Sequence, residues 1–173
     1  MNEELHIFII WSQALHIQQQ IINDIKKHLE IKKVFKCRWN KEYFALRLAQ
    51  FYHKKLYHCC KKEKDCGSDD FLLIVVVDHH PQLKNNNKNI TIMELKKKYR
   101  NWSEGNYLIH ASDTQKEAED NLKFLLHMNI QEFLNKYPET WDNTSITPLI
   151  DNFPPITLKE RLLLKLIHIL RSF

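Results

Sequence analysis

His110 is the residue whose surroundings in the sequence best suit it to chemistry. It closes a short apolar run, Tyr107-Leu108-Ile109, that reads as a buried strand. Asp113 and Thr114 then open a helix: Thr114 with Glu117 fits the S/T-x-x-E capping box, and Leu122, Phe124, Leu125 and Leu126 supply an apolar side. A histidine between a strand end and a helix N-terminus can face a cleft where backbone N–H groups favour an anion. A neutral imidazole there can attack a phosphorus centre, hold the phosphoryl group and pass it on, if an acceptor holds its other nitrogen. The plain alternative is a histidine bonded to backbone with no catalytic part.

Phosphoryl chemistry also needs positive charge. Lys96, Lys97, Lys98 and Arg100 lie just upstream of the His110 strand. A lysine run is usually a solvated helix face, but the fork of an arginine matches phosphate geometry. A second cluster, His53, His58, Cys59, Cys60 and Cys66, is a poor zinc set, because adjacent cysteines rarely share one tetrahedral ion and no C-x-x-C pair exists. We assign no metal ligand. His79-His80 reads as a polar turn.

These side chains sit in a chain of 173 residues, 43% hydrophobic, which suffices for a core in one main domain. The formal charge of +5 suits an anionic ligand such as a nucleotide without requiring nucleic acid. With only Gly67 and Gly105, no glycine-rich phosphate loop can be built, so phosphate must be held by side chains and helix ends. The longest apolar run, residues 71–77, is too short to span a bilayer. An acidic N-terminus argues against a signal peptide, and a cytoplasmic protein with reduced thiols is expected.

The positioning elements alternate. Residues 5–11 and 71–77 read as buried strands, the second unbroken and β-branched. Residues 17–29 form an amphipathic helix with Ile17, Ile21, Ile25 and Leu29 on one side, and 33–39 a second strand. Asn40 caps a helix to about Tyr57, and 58–70 reads as a polar loop. After the loop at 82–89, Thr91 with Glu94 forms a second capping box and opens a helix to about Arg100. The order βαβα–βαβα predicts helices layered on a mainly four-stranded sheet.

The run Asn106-Tyr107-Leu108-Ile109-His110-Ala111-Ser112-Asp113-Thr114, followed by Glu117-Ala118-Glu119, resembles the catalytic-histidine segment of the nucleoside diphosphate kinases, which reads roughly Arg-Asn-Ile-Ile-His-Gly-Ser-Asp-Ser before an acidic helix. The resemblance covers roughly residues 5–126. It implies a ferredoxin-like α/β (α+β) fold, a nucleoside triphosphate such as ATP bound with Mg2+, and phosphoryl transfer through phosphohistidine at His110. It further implies that Ser112 helps orient the ring, that Arg100 clamps phosphate with Lys97 as its rival, and that Asn106 and Tyr52 lie near the nucleotide. Ser12 stands where the family has a lysine, and Asn121, eleven after His110, where it has a glutamate. An amide can accept the ring's hydrogen bond but cannot stabilise a cationic ring as a carboxylate does, so Glu117 or Glu119 is a substitute. The alternative is a diverged nucleotide-binding or assembly module without kinase activity.

Residues 1–128 make the expected domain and 129–173 a helical extension. Residues 129–137 read as a short helix and 141–155 as a loop. Thr157 with Glu160 forms a third capping box, opening a broadly apolar terminal helix that carries Leu158, Leu162, Leu163 and Leu166. Such a helix is normally buried, either on its own domain or in a homo-oligomer. Nucleic-acid binding through the basic helix and Trp102 is the least favoured reading.

Overall fold

A computed structural model describes residues 3–105, 107–151, 153 and 156–171. Its centre is β3 (Phe71–Asp78), whose side chains are all buried because both faces of the strand are covered. β1 (Glu4–Ile10) and β2 (Glu30–Arg38) flank it antiparallel, with Ile7 opposite Val75 and Phe35 opposite Leu73. Short β6 (Ile109–Ala111) adds antiparallel to β1 and puts His110 opposite Ile9. These four strands form the ferredoxin-like sheet.

The alternation of side chains along the strands divides the core in two. Ile7, Ile9, Trp11, Leu73 and Val75 face α2 (Phe44–Phe51), α3 (Leu56–Cys66), α5 (Gln115–Leu126) and α6 (Ile130–Lys136). Phe8, Ile10, Ile74 and Val76 face α1 (Gln18–Ile25) and α4 (Ile90–Trp102). Between β3 and α4 lies a small hairpin, β4 (Leu83–Lys84) with β5 (Lys88–Asn89).

The polar stretch 58–70 is not a loop. It carries α3, whose buried positions Cys59, Cys60, Glu63 and Cys66 make a narrow side too rich in cysteine and charge to read as amphipathic. Asn40 caps only a single 3-10 turn at Lys41–Tyr43, and the helical stretch breaks after Phe51, where His53 takes a left-handed backbone. α4 starts before Thr91: the Asn89 side chain accepts from the Ile92 N–H at 3.1 Å and caps the helix. Residues 141–155 contain β7 (Thr147–Ile150), which pairs parallel to β2 and makes the sheet five-stranded, in the order β6-β1-β3-β2-β7.

The third capping box is present, since the Glu160 N–H donates to Thr157 Oγ1 and the Thr157 N–H to Glu160 Oε2. It opens α7 (Leu158–Arg171). This helix docks on the domain through Leu164, which packs with Ala45, Leu46 and Cys60. Leu158, Leu162 and Leu166 are instead more than half exposed, so docking covers only one edge of the apolar face.

Candidate functional site

β6 delivers His110 from below and α5 covers it from above. The imidazole is 7% exposed. It stands edge-on to Phe51 at 5.2 Å and to Tyr52 at 5.4 Å between ring centres. Nε2 is 3.1 Å from the Asn121 amide nitrogen and 3.9 Å from Glu117 Oε1. Asn121 and Glu117 are one turn apart on α5, so both reach the same ring nitrogen. The second Glu117 oxygen accepts from the Asp113 N–H at 2.7 Å, which pins the carboxylate at the helix start. Thr114 Oγ1 accepts from the Glu117 N–H at 3.1 Å, as the capping motif predicts, although the reciprocal bond goes to Asp113.

Electrostatics keep the ring neutral. Burial lowers the His110 pKa well below the ordinary imidazole value, and Lys96, Lys62 and Arg100 push it the same way. Burial raises the Glu117 pKa, with the nearby Asp113 carboxylate adding to the rise. Arg100 Nε donates to the Ile109 carbonyl at 3.0 Å, beside the His110 peptide. Lys96 donates to the Ala111 carbonyl at 3.2 Å and pairs with Asp113. Lys97 is exposed on the outer side of α4, a solvated cation as the lysine run alone would suggest, and Lys96 takes the inward place.

Ser112 does not orient His110. Its hydroxyl accepts from the Ile7 N–H at 3.0 Å and lies 3.3 Å from His6 Nδ1, because the chain beyond β6 still runs along β1. Ser12 is also elsewhere: its hydroxyl donates to the Cys66 carbonyl at 3.0 Å, tying the start of a 3-10 stretch at Ser12–Ile17 to the end of α3. Asn106 lies outside the described residues.

Tyr52 is brought to the site. Its hydroxyl is buried without a hydrogen-bond partner, and burial raises its pKa. The Trp11 indole N–H lies toward it without reaching good bonding geometry and is unpaired too. A buried hydroxyl with at best a poorly aligned donor, beside a histidine, is costly in a finished core and is satisfied where a polar ligand completes the site.

Two cavities meet at Tyr52. The smaller, about 280 Å³, is lined by His110, Asn121, Glu117 and Thr114. The larger, about 490 Å³, runs between α3 and Tyr107. Lys62 lines it, 4.2 Å from the centre of the Tyr52 ring and 5.2 Å from that of Tyr107, and burial lowers its pKa. Ligand pockets are on the order of 300–1,000 Å³, so the larger cavity has the size of one and the smaller falls just below it. Sequence reasoning missed Lys62, since it lies in the stretch read as a loop. No hydrophobic period marks that helix, because its buried side is Cys59, Cys60, Glu63 and Cys66.

Among the described residues no group of three or more His, Cys, Asp or Glu could hold a metal ion, and no helix is long and apolar enough to cross a membrane.

No protein-family model matches the chain, and no curated protein matches it by sequence. Solved structures do match. The nucleoside diphosphate kinase of Aquifex aeolicus superposes with a TM-score of 0.51 at 15% identity, over 76% of this chain and 99% of that one. That of Encephalitozoon cuniculi gives 0.48 at 15% identity, over 71% and 88%. The chain therefore has a diverged nucleoside diphosphate kinase-like fold, with the ferredoxin-like sheet at its centre. At this identity the likeness is one of fold, and function has to be argued from the site.

Proposed function

We propose that this protein binds a nucleoside triphosphate, such as ATP with its Mg2+, and transfers the terminal phosphoryl group through His110. The observation that carries this reading is a neutral buried imidazole among three cations, beside the unpaired hydroxyl of Tyr52. The nucleoside would lie against Tyr107 and Lys62, with Lys62, Lys96 and Arg100 neutralising the phosphates. Mg2+ would arrive on the nucleotide and supply further charge neutralisation. The free lone pair of Nδ1 would attack the γ-phosphorus as the bond to the departing diphosphate breaks, and an acceptor would later take the phosphoryl group from the ring.

The transfer depends on the ring tautomer. With the Asn121 amide nitrogen toward Nε2, the proton sits on Nδ1 and the nucleophile is silenced. With the amide turned over, its oxygen accepts from Nε2–H and frees Nδ1. The negative charge of Glu117, 3.9 Å from Nε2, favours the second state.

The test is phosphoprotein formation with labelled ATP and Mg2+. Acid-labile, base-stable phosphate is expected on the wild type and none on His110→Ala. A wild type that stays unlabelled with every nucleoside triphosphate sinks the transfer. One observation favours the second reading, nucleotide binding without transfer: Tyr52 stands between the basic cavity and His110. Thermal stabilisation by nucleotides without phosphoprotein would select it.

We further read residues 129–173 as an extension added to a domain of 1–128, and the exposed leucines of α7 as a homo-oligomer contact. The burial of Cys37, Cys59, Cys60 and Cys66 supports a reducing, cytoplasmic setting.

A further inference from the structure

A further cavity, of about 660 Å³, opens between α2 and α7, away from His110. Its wall includes Arg47, which is 5% exposed. The guanidinium lies 4.2 Å from the centre of the Phe153 ring, and Nη1 donates to Gln50 Oε1 at 3.0 Å. Nε is buried with no hydrogen-bond partner. Glu160 is a nearby carboxylate: it feels the Arg47 charge, and Gln50, which accepts from Arg47, donates to Glu160 Oε1 from Nε2 at 2.9 Å. A buried guanidinium N–H without an acceptor is costly, and buried polar groups in folded proteins are normally hydrogen-bonded.

Two more cations line this cavity. Arg161 and Lys165 are exposed, one turn apart on α7, and neither forms an ion pair among the described residues. Glu42 and Asp151 also border it. Asp151 is engaged elsewhere: Oδ2 accepts from the Asn40 N–H at 2.9 Å and Oδ1 from the Phe153 N–H at 3.3 Å. Three cations thus stand near the Glu42 and Asp151 carboxylates of the wall, with Glu160 beyond Gln50. Ile156 and Leu164 complete an apolar side.

We propose that this cavity is a binding site for an oxyanion, the phosphate or carboxylate end of a small metabolite. Arg47, Arg161 and Lys165 hold the charged end, and Phe153 and Ile156 receive the apolar part. Because Arg47 belongs to α2 and the other two cations to α7, the ligand bridges the terminal helix to the domain.

The test uses the full chain, with inorganic phosphate and malonate as separate probes. The Arg47 Nε–H and Gln50 carboxamide signals are followed by NMR during each titration. Saturable shifts are expected with at least one probe, and the tighter of the two identifies the source of the oxyanion. Arg161→Ala with Lys165→Ala, both exposed and so compatible with folding, should weaken the response about tenfold or more, whereas His110→Ala should leave it intact. Absence of shifts with both probes at high millimolar concentration overturns the proposal. So does a response that survives the double substitution or vanishes in His110→Ala.

Discussion

At the scale of single residues, the chemistry turns on which nitrogen of His110 carries its proton. Asn121 is neutral and accepts or donates equally well, so Glu117 is the group that biases the choice. Glu117→Gln keeps the shape and removes the charge. We expect phosphohistidine formation to slow by about 10–100-fold, as for other partners that orient a reactive imidazole. The 15N shifts of the ring should move toward the Nδ1–H tautomer, and an unchanged ring spectrum would remove Glu117 from the mechanism. The burial of His110 also has a pH signature. Its folded pKa lies well below the ordinary value, while the unfolded ring takes up a proton near pH 6.5. The group is neutral in both states above that pH. As pH falls below about 6.5 the unfolded state binds the proton first, so stability drops until the folded ring also protonates. The urea midpoint should therefore fall less between pH 7 and pH 5 in His110→Gln than in the wild type. For the same reason, phosphorylation should show no loss at the ordinary imidazole midpoint.

At the scale of elements, the site depends on joints between segments distant in sequence. Gly67 ends α3 with φ of 79° and ψ of 166°, a backbone that side chains rarely adopt, and an added Cβ would lie 2.1 Å from Ser12 Oγ. That hydroxyl is short and already bonded to the Cys66 carbonyl, so it cannot easily give way. Gly67→Ala should cost about 1–3 kcal/mol in denaturant unfolding, and by shifting α3 it should weaken nucleotide binding at Lys62. The cap of α4 is a second joint: Asn89 also donates to Asp78 at 2.9 Å, linking the helix that carries Arg100 and Lys96 to the end of β3. Asn89→Ala should cost roughly 0.5–2 kcal/mol for the cap alone, again read from the urea midpoint. The motifs that depend on near neighbours were legible at this scale: the apolar runs of β1 and β3, the Thr114 cap and the Thr157 cap. α3 was not, because its buried side is cysteine-rich and contains Glu63, which no hydrophobic period reveals. β7 was not, because four residues with a proline show strand character only when β2 supplies their partners.

At the scale of the whole molecule, β7 adds a fifth strand to one sheet edge and α7 lies over α2 and α3. The packing of that helix is uneven. Leu164 is 8% exposed and Leu162 56%, so Leu164→Ala should destabilise the protein by about 2 kcal/mol or more, and Leu162→Ala by under about 0.5 kcal/mol. If the exposed leucines meet a second copy, Leu162→Glu with Leu166→Glu should lower the mass measured by light scattering without lowering the melting temperature of the monomer. An unchanged mass would assign those leucines to solvent.

By itself, the sequence determined that residues 71–77 are a strand buried on both faces, that a helix opens at Thr114 shortly after His110, and that phosphate cannot be held by a glycine loop. These follow from local period, capping chemistry and composition. It placed the strand at 107–109, whereas β6 is Ile109–Ala111 with His110 at its centre and Tyr107 exposed. Only the tertiary structure decided that Ser112 serves Ile7 and His6, that Ser12 serves Cys66, that Lys62 and Lys96 surround the histidine, and that Arg47 Nε is buried without a hydrogen-bond acceptor. A side chain's partner is chosen by which segments the sheet brings together, and two residues over a hundred positions apart carry no mark of each other until the backbone between them has folded.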